Sequence, residues 1–184
     1  MKELSLNILD LAQNGIRAGA HLIQVEVNED EDGFFVFKVQ DDGCGMTAEM
    51  VQKIRDPFFT TRTTRKVGMG VSLVNMLTVQ CGGRLDIESV PGQGTVMTAY
   101  FAKDNIDRPP LGNLPATMKV LVAGASGLDY RLVYRHGAAN FTFDTRDIRQ
   151  ELGMLADFSN PILYEWVENN VREGMEDVHK KLEG

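Results

Sequence analysis

Asp10 and Asn14 stand four residues apart in Leu4-Ser-Leu-Asn-Ile-Leu-Asp-Leu-Ala-Gln-Asn14. On a helix that spacing stacks a carboxylate and an amide side by side. A carboxylate so placed can accept a proton or orient a nucleophile, and an amide oxygen can serve a hard cation. Three glycine loops follow: Asp41-Asp-Gly43-Cys-Gly45-Met46 at the end of an alternating apolar run, Gly68-Met69-Gly70 after a hydroxyl-rich basic stretch, and Gly92-Gln-Gly94-Thr95 before a further apolar run. Singly, each has an ordinary structural reading, because glycine loops mark turns and Asp–Asn pairs face water. Their order within fewer than 100 residues is what carries information.

Other chemistries are missing. There is no Gly-x-x-x-x-Gly-Lys-Ser/Thr phosphate loop and no serine in a nucleophile elbow. Val120–Gly127 only faintly follows a dinucleotide turn, without its glycine spacing. His21, His136 and His179 are isolated in the sequence, with no metal-ligand spacing. Two cysteines, Cys44 and Cys81, can build neither a disulfide framework nor a four-ligand zinc site.

The elements that must position these residues follow from periodicity. Leu4, Ile8, Leu11, Ala12 and Ile16 recur at helical spacing, predicting a helix over 2–18. Glu3, Asn7, Asp10, Asn14 and Arg17 form a second, polar stripe, which on an average helix is a solvated face. His21–Val27 and Phe34–Gln40 alternate as a hairpin, and Thr47 caps a short helix through about Arg55. A loop over Asp56–Gly70 leads into a helix to Gln80, ended by Gly82-Gly83. Arg84–Ser89 and Thr95–Phe101 make a second hairpin. A Pro/Gly-rich connector at 104–115 separates residues 1–103 from a small α+β appendage at 116–184, with a hairpin (Asp129–His136, Asn140–Phe143), a helix after Asp144 and a closing helix over Pro161–Leu182.

Composition sets the outer bounds. The chain has 184 residues, is 43% hydrophobic and carries a net charge of −7 spread over both halves. That is enough apolar material for a core and the wrong sign for a general nucleic-acid binder. No run approaches the ~18 apolar residues of a membrane helix, and Met1-Lys2-Glu3 leads straight into the first amphipathic pattern. The expectation is a cytoplasmic protein with no membrane or nucleic-acid partner.

Taken together, the motifs resemble the histidine-kinase-like (GHKL) ATPase family of sensor kinases, anti-sigma serine kinases, gyrase B and mismatch-repair ATPases. Asp10-Leu-Ala-Gln-Asn14-Gly-Ile-Arg-Ala-Gly-Ala20 is similar to the family's asparagine box, Asp41-Asp-Gly-Cys-Gly45 to its first glycine box, Asp56-Pro-Phe-Phe-Thr60 to its phenylalanine box and Gly68-Met-Gly-Val-Ser-Leu73 to its second glycine box. Ser89 and Gly92-Gln-Gly-Thr95 match its closing strands. Two positions depart: Asp10 stands where the hydrolases and serine kinases have Glu, and Ser72 where the second glycine box has Gly.

The resemblance implies a fold, an α+β two-layer sandwich with a mixed, mainly antiparallel sheet under helices beginning near Lys2, Thr47 and Gly70. It also implies ATP and Mg²⁺. Asp41 would accept a hydrogen bond from the adenine amino group, with Thr95 in support, and Gly43 and Gly45 would bring backbone close to the nucleotide. Asn14 would ligate the metal, and Gly68 and Gly70 would offer N–H groups to phosphates. Met46, Phe58, Thr61, Arg62, Lys66, Met69 and Val71 complete the nucleotide contacts, with Thr61–Val67 as a lid that orders on binding. Asp10 is the candidate catalytic base. Because the ATPase motifs start at the first helix, no phospho-acceptor histidine segment is expected before them. The function expected is a stand-alone protein kinase acting on a partner protein. A homodimerising ATPase switch and a non-catalytic ATP sensor are the alternatives.

Overall fold

Leu4, Ile8, Leu11 and Ala12 are all buried along one side of helix α1 (Leu4–Arg17), as their spacing requires. Their partner surface is a sheet. The computed structural model describes residues 3–56 and 70–183. After α1 it has strands β1 (Leu22–Glu31) and β2 (Phe34–Asp41), helices α2 (Ala48–Ile54) and α3 (Gly70–Gln80), and strands β3 (Arg84–Val90) and β4 (Gly94–Ala102). Helix α4 (Leu114–Gly124), strands β5 (Asp129–His136) and β6 (Ala139–Asp144), and helices α5 (Thr145–Leu152) and α6 (Pro161–Glu183) follow. Thr47 accepts a hydrogen bond from the Met50 N–H, so it caps α2 as its residue type predicts.

The six strands form one sheet in the order β3-β4-β2-β1-β5-β6. Every neighbouring pair is antiparallel except β1 and β5, which run parallel with Val25 beside Leu132. One face is apolar and helix-covered: Ile23, Val25 and Val27 of β1, Phe37 and Val39 of β2, and Leu132 and Tyr134 of β5 are buried there. The other face keeps polar groups such as Glu26, ion-paired to Lys38 at 2.6 Å and Arg135 at 3.0 Å. A mainly antiparallel sheet tolerates that division between core and water. The expected two-layer α+β sandwich is therefore the observed one.

The residues beyond 103 share this core. Helix α4 packs against both α1 and α6, and Phe143, Val167, Val171 and Val178 join the buried cluster. The connector closes on α1 as well. The Leu4 and Ser5 N–H groups donate to the carbonyls of Pro110 (3.0 Å) and Leu111 (2.8 Å). Glu3 provides no side-chain cap, so these carbonyls satisfy donors that a helix start leaves free. Among the described residues no helix is long and apolar enough to cross a membrane.

Candidate functional site

At one end of the sheet the helix-facing side chains change from apolar to polar. Register pairs Asp41 with Thr95 and Thr95 with Ser89, so three strands deliver a carboxylate and two hydroxyls in one row. Ser89 Oγ and Thr95 Oγ1 are 2.8 Å apart, and Ser89 Oγ also accepts from the Met46 N–H at 2.8 Å. Asp41 Oδ1 accepts from the Gly43 N–H at 2.9 Å. Burial pushes the Asp41 carboxyl above the usual carboxylate range. The N–H groups of Gly43 and Thr95 pull it back, and the Asp42 charge pushes it further up.

The loop after Asp41 is pinned on both sides. The Cys44 N–H donates to the Ala18 carbonyl at 2.9 Å, and its own carbonyl accepts from the Gly92 N–H at 2.8 Å. Asp42 does not face the site; its Oδ1 accepts from the N–H groups of His21 and Leu22 at 2.7 and 2.9 Å. The two loop glycines are needed by these closures. A Cβ on Gly43 would stand 2.7 Å from Ala18 Cβ, and one on Gly45, at φ +64°, would stand 2.0 Å from the Val90 carbonyl oxygen.

Asn14, Arg17, Ala18, Asp41, Cys44, Gly45, Met46, Met50, Thr95 and Met97 line a pocket over this row. Its walls are mostly apolar, with a carboxylate acceptor at the base. Such a slot suits a flat heterocycle carrying an amino donor. Asn14 Oδ1 accepts from Arg17 at 3.1 Å, while its Nδ2 is buried with no hydrogen-bond partner among the described residues. One turn earlier, Asp10 is exposed and lies against Gly70 at the start of α3.

Of the residues singled out in the sequence, Asn14, Asp41, Gly45, Met46 and Thr95 line one pocket, with Gly43 beneath it and Asp10 and Gly70 beside each other nearby. Val71 is buried in the core. Phe58, Thr61, Arg62, Lys66, Gly68 and Met69, with the lid loop Thr61–Val67, lie outside the described residues. Arg17, Ala18, Cys44, Met50 and Met97 also line the pocket without having been singled out for it, and Ser89 supports its floor. A hairpin register drawn through Gly92–Gly94 would have placed Ser89 opposite Thr95. The polar stripe of α1 is not uniformly solvated, since Asn7 is buried.

This two-layer fold, with its asparagine helix and a half-buried aspartate at a glycine loop, defines an ATPase domain of the kind shared by histidine kinases and DNA gyrase B. The chain belongs to the histidine kinase-, DNA gyrase B-, and HSP90-like ATPase family, whose profile matches residues 2–105. It is 40% identical over 102 residues to the sensor histidine kinase ZraS of Klebsiella oxytoca, covering 55% of this chain and 21% of that protein. It is 32% identical over 98 residues to the signal transduction histidine-protein kinase AtoS of Escherichia coli, covering 53% and 16%. The match thus spans about a fifth of the length of these curated relatives. A solved structure of the N-terminal domain of a DNA repair protein superposes with a TM-score of 0.55 at 10% identity, covering 79% of this chain and 52% of that one. That likeness is one of fold alone. It takes in more of the chain than residues 2–105, and so part of the C-terminal region.

Proposed function

We propose that this chain binds Mg-ATP and transfers the γ-phosphoryl group to a partner protein, as a cytoplasmic kinase in signalling or regulation. The observation that carries the reading is the placement of Asp10 and Asn14 on one face of α1. Asn14 opens onto the Asp41 pocket and Asp10 lies against the first residue of α3. In such a site Mg²⁺ and ATP supply the electrophile and its charge neutralisation.

The chain's own residues do the rest. Asp41 accepts from the adenine amino group, and the methionines around it exclude water from the base. A guanine would set a carbonyl against the same carboxylate and be rejected. Asn14 fits a hard cation that keeps mostly phosphate and water oxygens. Its Oδ1 has a second lone pair beside the one Arg17 occupies, and its Nδ2, without a partner among the described residues, can donate to an acceptor such as a phosphate oxygen. Asp10 orients the acceptor hydroxyl or imidazole, or takes its proton. Sensor histidine kinases among the relatives support transfer to protein over release to water.

Labelled ATP decides between the readings. The full chain is incubated with Mg²⁺ and nucleotide, alone and with partner proteins recovered from its host. Labelled partner protein supports the kinase. Labelled phosphate released without labelled protein, with nucleotide-dependent dimerisation, supports the ATPase switch. Tight ATP binding with neither product supports a sensor.

A further inference from the structure

His136 and His179 are 43 residues apart in sequence, yet the fold brings them together with Glu29. Glu29 is near the end of β1, His136 is the last residue of β5, and His179 lies in the last turns of α6. This is the far end of the sheet from the nucleotide pocket. Asp41 pairs with Ile23 at the start of β1, and Glu29 is six residues further along, a span of about 20 Å at the strand rise.

One ligand atom from each of the three residues lies within 4.8 Å of the others. His136 Nδ1 is 3.4 Å from Glu29 Oε2, and His179 Nε2 is 3.7 Å from Glu29 Oε1. The two imidazole rings meet edge to face, with centroids 5.1 Å apart. His136 Nδ1 is buried and makes no hydrogen bond among the described residues, so its approach to Glu29 leaves it unsatisfied there. The Tyr134 hydroxyl donates to Glu29 Oε1 and sits 2.8 Å from His179 Nε2. Two imidazoles converging on one carboxylate, one of them with an orphaned nitrogen, are poorly served by protein partners alone.

We propose that Glu29, His136 and His179 form a binding site for a divalent transition-metal ion of the zinc class. Ligands on a tetrahedral ion with bonds of about 2.0–2.1 Å stand about 3.4 Å apart, the scale of the separations of His136 Nδ1 and His179 Nε2 from the two different oxygens of Glu29. Two nitrogen donors select zinc, cobalt or nickel over magnesium and calcium, which take oxygen sets. His179, at 45% side-chain exposure, leaves an open side for entry and for water as the fourth ligand. Tyr134 then holds the carboxylate from outside the ligand set. Because the ligands come from β1, β5 and α6, the ion clamps the C-terminal helix to the ATPase sheet.

The test uses the full chain without nucleotide, in a Cys44→Ser background so that the exposed thiol contributes nothing. Zn²⁺ titration by calorimetry should show one equivalent bound, and Co²⁺ should give the intense visible absorption of a four-coordinate site. His136→Gln and His179→Gln should each lower affinity at least ~10-fold, the scale of disturbing a metal's immediate surroundings. Zn²⁺ should raise the unfolding midpoint of the parent more than that of either variant, and excess Mg²⁺ should not compete. His179→Gln changes a half-exposed residue and keeps a donor for Tyr134, so it tests the site without unfolding the chain. Absence of stoichiometric binding by the parent, or equal binding by both variants, would overturn the proposal.

Discussion

A Cβ built on Gly70 would lie 3.0 Å from Asp10 Cβ, so the first residue of α3 rests directly on the carboxylate-bearing turn of α1. The two helices that carry the asparagine box and the second glycine box therefore meet at the residue proposed to act on the nucleophile. Asp10 is one methylene shorter than the glutamate of related hydrolases, and a close approach of α3 is one way to offset that.

Asp10→Asn separates catalysis from binding. The amide keeps the shape and loses the proton-accepting charge, so turnover should fall by ~10²-fold or more while ATP affinity stays within a few-fold. Gly70→Ala should act in the same direction, because the added methyl must displace Asp10. Asn14→Ala should instead weaken Mg-dependent ATP binding. Phosphoryl-transfer rates beside calorimetric affinities check all three, and full transfer by Asp10→Asn would remove Asp10 from the mechanism.

Asp41→Asn should trade function for stability. Burial raises the Asp41 carboxyl above its ordinary value of 3.8, so folding favours its protonated form. The sign follows from linkage: below the unfolded value both states hold the proton and no stability is lost. As pH rises through the window above 3.8, the unfolded chain releases its proton first and the folded state loses ground. Asn does not titrate, so the variant should match the parent in acid and gain on it towards neutral pH. Its ATP affinity should fall by ~10-fold or more, since an amide donor then faces the adenine amino group. Denaturant unfolding at several pH values, beside ATP calorimetry, reads both effects.

Much of this site is legible in the sequence because its parts are local. Asp10 and Asn14 are one helical turn apart, and Asp41 follows an alternating strand directly, so period and loop chemistry place them without tertiary knowledge. The parallel pairing of β5 with β1 has no such signal, because it joins residues more than 100 positions apart through the connector and α4. The connector itself reads as a Pro/Gly-rich boundary, yet its carbonyls cap α1. His136 and His179 look isolated for the same reason: only the β1–β5 register and the docking of α6 bring them to Glu29.

Shared burial predicts that the chain unfolds as one unit. Leu132 of β5 is fully buried between Val25 of β1 and Phe143 of β6, so it belongs to the cores of both regions. Leu132→Ala should cost ~2–5 kcal/mol. The loss should appear in a single transition seen equally by Trp166 fluorescence in α6 and by far-ultraviolet dichroism. Two separated transitions would show that residues 116–184 fold apart from the ATPase strands.

Ser89→Ala tests the floor of the nucleotide pocket. Ser89 Oγ accepts from the Met46 N–H at 2.8 Å, donates to the Gly94 carbonyl at 3.0 Å, and stands 2.8 Å from Thr95 Oγ1. Removing it leaves a part-buried N–H without its partner, worth ~1–3 kcal/mol of stability. It also frees Met46, a pocket wall, and Thr95, the strand neighbour of Asp41. ATP affinity should therefore drop several-fold with turnover of bound nucleotide unchanged, because Asp10 and Gly70 lie on other elements. Saturation kinetics check the split: KM should rise while kcat holds. A fall in kcat at unchanged KM would mean that Ser89 supports the reacting end of the site instead of the base-binding end.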